Sequence, residues 1–357
     1  MITDIVKVFY PAVVSFIIGV LITPIVSGYL YKHEMWKKKS VPVATDGRSA
    51  EISQRLHNDE AKKTPRMGGL IIWVSAFLTA LIIWIISYFL PSDLSTKLDF
   101  ISRNQTWLPL FTLIVGSLVG LVDDYLVVKG GGGHIAGGLS AKKRVAIVAF
   151  IGLLCGAWFY EKLGISSIGL PGNNGLDIGL MFIPFFSLVM LATYSGGVID
   201  GLDGLSGGIF ATMFTAYAGI AFYQQQVNLA SFCLVIVGAT LAFLWFNIPP
   251  ARFYMSETGV MGLTVTLTVV AFTTDHLGGG YGILVLPIIA FPLVISSLSS
   301  IIQLLSKRYR NGKKVFLVAP IHHHFEALGW PSYKVTMRFW IIGVVFAILG
   351  VILALVG

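Results

Sequence analysis

The chain has 357 residues, of which 55% are apolar and only 12% charged, with a mean hydropathy of +0.82 and a formal net charge of +8. A soluble domain carries roughly a quarter of its residues charged, so a water-covered globule, a disordered chain and a disulfide-stapled secreted domain are all excluded. What remains is a protein whose outer surface faces lipid; its two cysteines, Cys155 and Cys233, lie inside apolar runs and read as small packing residues.

Apolar runs of roughly 17–25 residues cross a hydrocarbon core. Ten follow in chain order: 5–31, 67–90, 107–122, 143–160, 178–198, 206–223, 229–247, 259–275, 281–305 and 337–356. The expected fold is therefore an all-α integral membrane protein, one polytopic domain over 1–357. The first run lacks a small-residue cleavage site and reads as a retained helix. Pro287 and Pro292 are expected to kink or break the ninth. The loops after runs one, three, five, seven and nine hold nine, four, none, one and seven of the 25 Lys and Arg residues. The positive-inside rule places those loops in the cytoplasm and both termini outside. The basic residues thus read as topology information, and no nucleic-acid partner is expected.

Seventeen Asp and Glu residues are few, and five stand at run ends on that same face: Asp123 and Asp124 after the third run, Asp200 and Asp203 after the fifth, Glu257 after the seventh. A carboxylate beside hydrocarbon is costly unless paired or metal-bound, so the cluster marks a functional site in preference to five separate helix caps. Oxygen-only ligands suit Mg²⁺ or Mn²⁺ better than Zn²⁺, and carboxylate-held Mg²⁺ commonly serves phosphoryl chemistry. Lys62, Lys63 and Arg66, then Lys142, Lys143 and Arg144, offer an anion-binding complement on the same face, although each taken singly reads first as a topology marker and only second as a ligand.

The last long loop carries three consecutive histidines, His322, His323 and His324. Successive residues point about 100° apart on a helix, so all three do not easily ligate one metal. Hydrogen bonding to phosphate or sugar is the preferred reading, with a structural polar loop next. The glycine run from Lys129 to His134 lacks the Gly-Lys-Ser/Thr ending of a phosphate-binding P-loop and reads as a linker.

Several segments, in this order, resemble the polyprenyl-phosphate N-acetylhexosamine-1-phosphate transferases. They are Lys63-Thr64-Pro65-Arg66-Met67-Gly68-Gly69, Asp123-Asp124-Tyr125, Asp200 to Leu205, Asn247 with Met255 to Gly259, Ala319 to Glu326 with Gly329-Trp330, and Arg338 to Ile342. The histidine loop points to the phospho-N-acetylmuramoyl-pentapeptide branch, and the likeness covers nearly the whole chain. It implies a ten-helix, typically homodimeric enzyme of the bacterial cytoplasmic membrane, working at its cytoplasmic face with Mg²⁺. The implied reaction moves phospho-N-acetylmuramoyl-pentapeptide from UDP-N-acetylmuramoyl-pentapeptide to undecaprenyl phosphate. The resemblance further implies Asp123, Asp124 and Glu257 as catalytic residues and Glu257 with Asp200 as Mg²⁺ ligands. Lys63, Asp200, Asp203, Asn247, Tyr254, His322, His323 and His324 are the implied substrate-binding residues, with Tyr254 stacking on the uracil.

The chain also departs from that pattern. Glu257 stands where the family carries Asp, Val260-Met261 where it carries Ser-Leu, and the stretch Tyr194 to Ile199 has no asparagine where the family has asparagines. A divergent active enzyme is the favoured expectation, ahead of altered nucleotide choice or a degraded site. The runner-up activity is N-acetylglucosamine-1-phosphate transfer to the same lipid. A proton-coupled transporter would want mid-span carboxylates and an internal repeat, and the sequence shows neither.

Overall fold

The computed structural model describes residues 2–37, 63–101, 104–130, 138–170, 175–276 and 281–356. Lys38, Lys39, Arg48, Arg55, Lys62, Arg103 and the stretch Gly131 to His134 lie outside the described residues. An unpaired backbone amide in hydrocarbon costs several kcal/mol, so long apolar runs must close their hydrogen bonds within themselves. They do so as α1 (Ile2–Lys32), α2 (Gly69–Phe89), α4 (Asn104–Lys129), α5 (Ala141–Leu163), α6 (Phe182–Ser195), α7 (Leu205–Tyr223), α8 (Val227–Asn247), α9 (Ser256–His276) and α13 (Ser332–Val356). With α6 extended by 3₁₀ turns on both sides, these nine, among the described residues, are long and apolar enough to cross a membrane.

The tenth expected span is a pair of helices, α10 (Gly282–Ile289) and α11 (Phe291–Tyr309), bent by 68° and counted as one crossing only if the bend is ignored. Its cause is the one read from the sequence. Pro287 interrupts the ladder of α10, and Pro292 occupies the first turn of α11, where a missing N–H costs nothing. Ala290 between them leaves the helical region. Three short elements were not anticipated: α3 (Asp93–Leu98), a two-stranded antiparallel hairpin pairing β1 (Ser167–Ile168) with β2 (Leu176–Asp177), and α12 (Ile321–Ala327).

At the centre stands α9, almost wholly buried and packed most extensively on α4, with α2, α6, α7 and α10 completing its surroundings. It is rich in threonine, and the hydroxyls return to carbonyls one turn back, Thr264 to Val260 at 2.8 Å and Thr273 to Val269 at 2.7 Å. A polar-looking helix is thereby made fit for a dry interior. At the periphery, Phe9, Val13, Ile17, Leu21 and Ile25 on α1 and Ile341, Val345, Ile348 and Ile352 on α13 are exposed. These are the stripes that a bilayer would cover.

The polar face of α11 positions the histidine loop. Ser299, Gln303 and Ser306 recur at helical spacing: Gln303 Oε1 accepts from the Val315 and Phe316 amides, Ser306 donates to the Lys313 carbonyl, and Ser299 Oγ accepts from the Ile321 amide at the start of α12. The chain leaving α11 is thus folded back onto it, which presents α12 to the carboxylate-bearing ends of the bundle.

Candidate functional site

Three segments meet where α4, α9 and the α6–α7 connection converge. The meeting depends on glycine. A β-carbon at Gly120 would overlap the Glu257 backbone, and one at Gly69 would overlap Gly259, so α2 and α4 clasp the first turn of α9 backbone to backbone. Asp123 and Asp124 lie within the last two turns of α4, inside the helix and not beyond it as the run boundaries had suggested.

The two adjacent carboxylates have different surroundings. Asp124 is fully buried; its Oδ1 accepts from Arg66 Nε at 3.1 Å and Nη2 at 3.0 Å, and its Oδ2 from the Thr258 amide at 2.9 Å and hydroxyl at 2.6 Å. Burial opposes the charge of Arg66, but Asp124 more than restores it and holds the guanidinium above its ordinary range. Asp123 accepts from the Leu139 amide through Oδ1, while its Oδ2 lies 3.9 Å from Arg144. Arg144 bonds Glu257 Oε1 at 2.5 Å, and Tyr194 donates to Glu257 Oε2 at 3.2 Å. Asp123, Glu257, Arg66, Arg144 and Lys37 line a cavity of about 130 Å³. Burial, with Arg66 nearby, holds the Lys37 ammonium below its usual range.

A second cavity of about 280 Å³ adjoins it, with Arg66 in both walls. Asp200, Asp203, Asn247, Tyr254, Ser256 and Glu326 line it. Burial raises the Asp200 carboxyl above the usual carboxylate range, against the Ser206 hydroxyl at 2.6 Å and the Ser256 amide at 2.8 Å, which favour its charge. Asp203 accepts from the Ala251 amide at 2.9 Å. Asn247 ties two backbone segments together, accepting from the Gly204 amide and donating to the Phe253 carbonyl, so it shapes the wall.

The histidines divide. His322 is fully buried with neither ring nitrogen hydrogen-bonded among the described residues, and burial beside His323 holds it neutral, well below its ordinary range. His323 pairs through Nδ1 with Glu326 at 2.7 Å, and His324 Nδ1 accepts from the Leu317 amide. Both His322 and His323 pack on Gly201, where any β-carbon would crowd their Nε2 atoms, so α12 sits directly on the Asp200–Asp203 turn.

Of the residues expected from sequence, Asp123 and Glu257 share one cavity, and Asp200, Asp203, Asn247 and Tyr254 share the other. Glu257 and Asp200, expected to hold one metal together, open on different cavities, because Glu257 turns to Arg144 and Tyr194 while Asp200 turns to Ser206. Asp124 lines neither cavity, being sealed beneath Arg66 and Thr258. Lys63, Lys142 and Lys143 are exposed and line neither. Sequence reasoning did not single out Tyr194, Ser256 or Glu326. Glu326 had a signal in its place within the histidine motif, whereas the part of Tyr194 depends on packing alone.

Among the described residues, no group of three or more His, Cys, Asp or Glu side chains is arranged to hold a metal. Mg²⁺ does not require one, since it is commonly bound by one or two carboxylates together with water and substrate phosphates. Asp123 and Glu257, bridged here by the Arg144 guanidinium at the wall of a cavity, fit that donor set.

A model described as glycosyl transferase family 4 matches residues 106–275. The phospho-N-acetylmuramoyl-pentapeptide-transferase of Anoxybacillus flavithermus is 32% identical over 348 residues, 96% of this chain and 97% of that protein. The protein of the same name from Chloroflexus aurantiacus is 34% identical over 306 residues, 82% of this chain and 77% of its own length. That of Ruegeria pomeroyi is 31% identical over 359 residues, covering 93% and 91%.

Proposed function

The chain belongs to the phospho-N-acetylmuramoyl-pentapeptide transferases, and from that premise we propose that it transfers phospho-N-acetylmuramoyl-pentapeptide from its UDP carrier to undecaprenyl phosphate, releasing UMP and forming lipid I. The observation that carries the reading to this site is the pair of adjoining cavities joined by Arg66, one lined by Lys37, Arg144 and two carboxylates and one lined by an aromatic ring and hydrogen-bonding groups.

In this proposal Tyr254 stacks on the uracil in the second cavity, where Asp203 and Glu326 accept from hydroxyls of the donor. The diphosphate runs past Arg66 into the first cavity. There an oxygen of the lipid phosphate attacks the β-phosphorus, the bond to the bridging oxygen breaks, and UMP leaves. Two polyanions have to meet, so fixed cations aimed at the developing charge supply much of the catalysis. Arg66, Arg144 and Lys37 are so placed. Asp123 and Glu257 would hold Mg²⁺, which when bound neutralises phosphate charge. A phosphate monoester is already mostly ionised at neutral pH, so Asp123 contributes by orienting the acceptor and taking any residual proton.

The Lys/Arg asymmetry of the loops supports a site on the cytoplasmic face of the bacterial inner membrane, with both termini outside. A homodimer belongs to the same proposal. The test is UMP release by detergent-purified protein with undecaprenyl phosphate and Mg²⁺, comparing UDP-N-acetylmuramoyl-pentapeptide with UDP-N-acetylglucosamine. Lipid-dependent release with the muramoyl donor alone is expected. Release with the other nucleotide alone would reassign the substrate, and release with neither from folded protein would overturn the proposal.

A further inference from the structure

Ser256 is the first residue of α9 and stands in the wall of the second cavity, between Tyr254, which lines the same cavity, and Glu257, which lines the first. Its backbone has φ +57°, in the left-handed region that favours glycine and is strained for a residue with a β-carbon. Its amide is spent on Asp200 Oδ2 at 2.8 Å. Its hydroxyl has no hydrogen-bond partner among the described residues, although the residue is only 4% exposed. A glycine would fit this turn without strain, yet the chain places there a buried hydroxyl with nothing to bond. A buried polar atom without a partner is costly, and one at a cavity wall calls for a ligand.

The surroundings indicate which kind of ligand. The nearby Asp200 carboxylate is already engaged at both oxygens, by Ser206 and by the Ser256 amide, so it does not need the hydroxyl. Arg66, which lines both cavities and the second together with Ser256, is the cation that an anion at this seam would meet. We propose that the Ser256 hydroxyl donates a hydrogen bond to a phosphate oxygen of the bound nucleotide, on the UMP side of the bond that breaks, and so helps to set affinity for the donor. The inference rests on the reading of the second cavity as the nucleotide site.

The test uses the full-length protein and UMP as the probe, measured as a competitive inhibitor, with KM and kcat for UDP-N-acetylmuramoyl-pentapeptide alongside. Ser256→Ala and Ser256→Gly both remove the hydroxyl, and the glycine variant also relieves the backbone, so it carries the test if the alanine variant fails to fold. A hydrogen bond to a charged group predicts that the UMP inhibition constant and KM each rise about tenfold or more, with kcat within about threefold of wild type. A merely structural role would leave both constants unchanged in Ser256→Gly. Tyr254→Ala separates the two levels of inference. If it weakens UMP while the Ser256 variants do not, the Ser256 assignment falls and the nucleotide site stands. If none of the three weakens UMP, both fall.

Discussion

Asp123 and Asp124 are neighbours in sequence, and their replacement by asparagine should produce opposite defects. Asp124 receives four hydrogen bonds, two from Arg66 and two from Thr258, in a fully buried position. Asparagine turns one acceptor into a donor, which then faces other donors, and it strips Arg66 of its counter-charge. Breaking a buried pair in this way costs about 3–5 kcal/mol, a large share of a typical total near 5–15 kcal/mol. Asp123→Asn keeps the oxygen that accepts from Leu139 and loses only attraction to Arg144 at 3.9 Å, which retains Glu257. That loss should cost no more than about 1 kcal/mol. Unfolding in a mild detergent should therefore show a markedly destabilised Asp124→Asn and a near-native Asp123→Asn. UMP release per folded molecule should fall below about a tenth of wild type for Asp123→Asn, a barrier increase above about 1.4 kcal/mol. If Asp124→Asn were as stable as wild type, or Asp123→Asn kept more than that tenth, the two aspartates would not divide the labour in this way.

Glu257→Asp shortens the arm that reaches both Arg144 and Tyr194, so turnover should drop by about tenfold, the scale of one hydrogen bond to a charged group; raised turnover would mean that the pocket is not shaped around Glu. Gly120→Ala drives a β-carbon into the Glu257 backbone, and the yield of folded protein in size-exclusion chromatography should collapse; wild-type yield would refute the close approach of α4 and α9. Stability should depend on pH through His322, whose folded-state titration is held well below its ordinary range. The unfolded chain takes up the proton near pH 6.5 while the folded chain does not, so stability falls as pH drops below about 6.5, by up to about 1.4 kcal/mol per unit. Unfolding midpoints between pH 7.5 and 5.5 should therefore slope less for His322→Phe than for wild type, and equal slopes would show that the ring titrates normally. Chelation of Mg²⁺ should abolish UMP release without moving the unfolding midpoint, because no described carboxylate depends on a metal for its partners; turnover that survives EDTA would remove the metal from the proposal.

The spans were legible because hydropathy and length are one-dimensional quantities, and the broken ninth run was legible because two prolines act locally. The elements missed are those whose formation depends on partners. The polar stripe Ser299, Gln303 and Ser306 lies inside a run apolar enough to pass for a simple crossing, and its meaning appears only when the 313–321 segment folds back to use it. The short helix α12 follows from that folding back, as does the burial of His322. Three consecutive histidines looked like one recognition loop, but a helix turns each to different surroundings: one inward, one to Glu326, one to the loop.

The same rotation separates the two aspartates, and here the sequence did hold the answer. Gly116, Gly120 and Asp124 fall at intervals of four and share one face of α4, the face whose glycines admit α9: a β-carbon at Gly116 would crowd Gly262 and Val265, and one at Gly120 the backbone of Glu257. Asp124, next along that stripe, must meet α9 one turn further, and it does so at Thr258. On α9 the answering positions, Thr258 and Gly262, are again four apart. Asp123, about 100° around the helix, leaves the interface and is free to face the cavity. An Asp-Asp pair therefore signals a site without saying which member serves it. The glycine spacing upstream decides that, because close backbone approach is what makes one of the two carboxylates part of the scaffold.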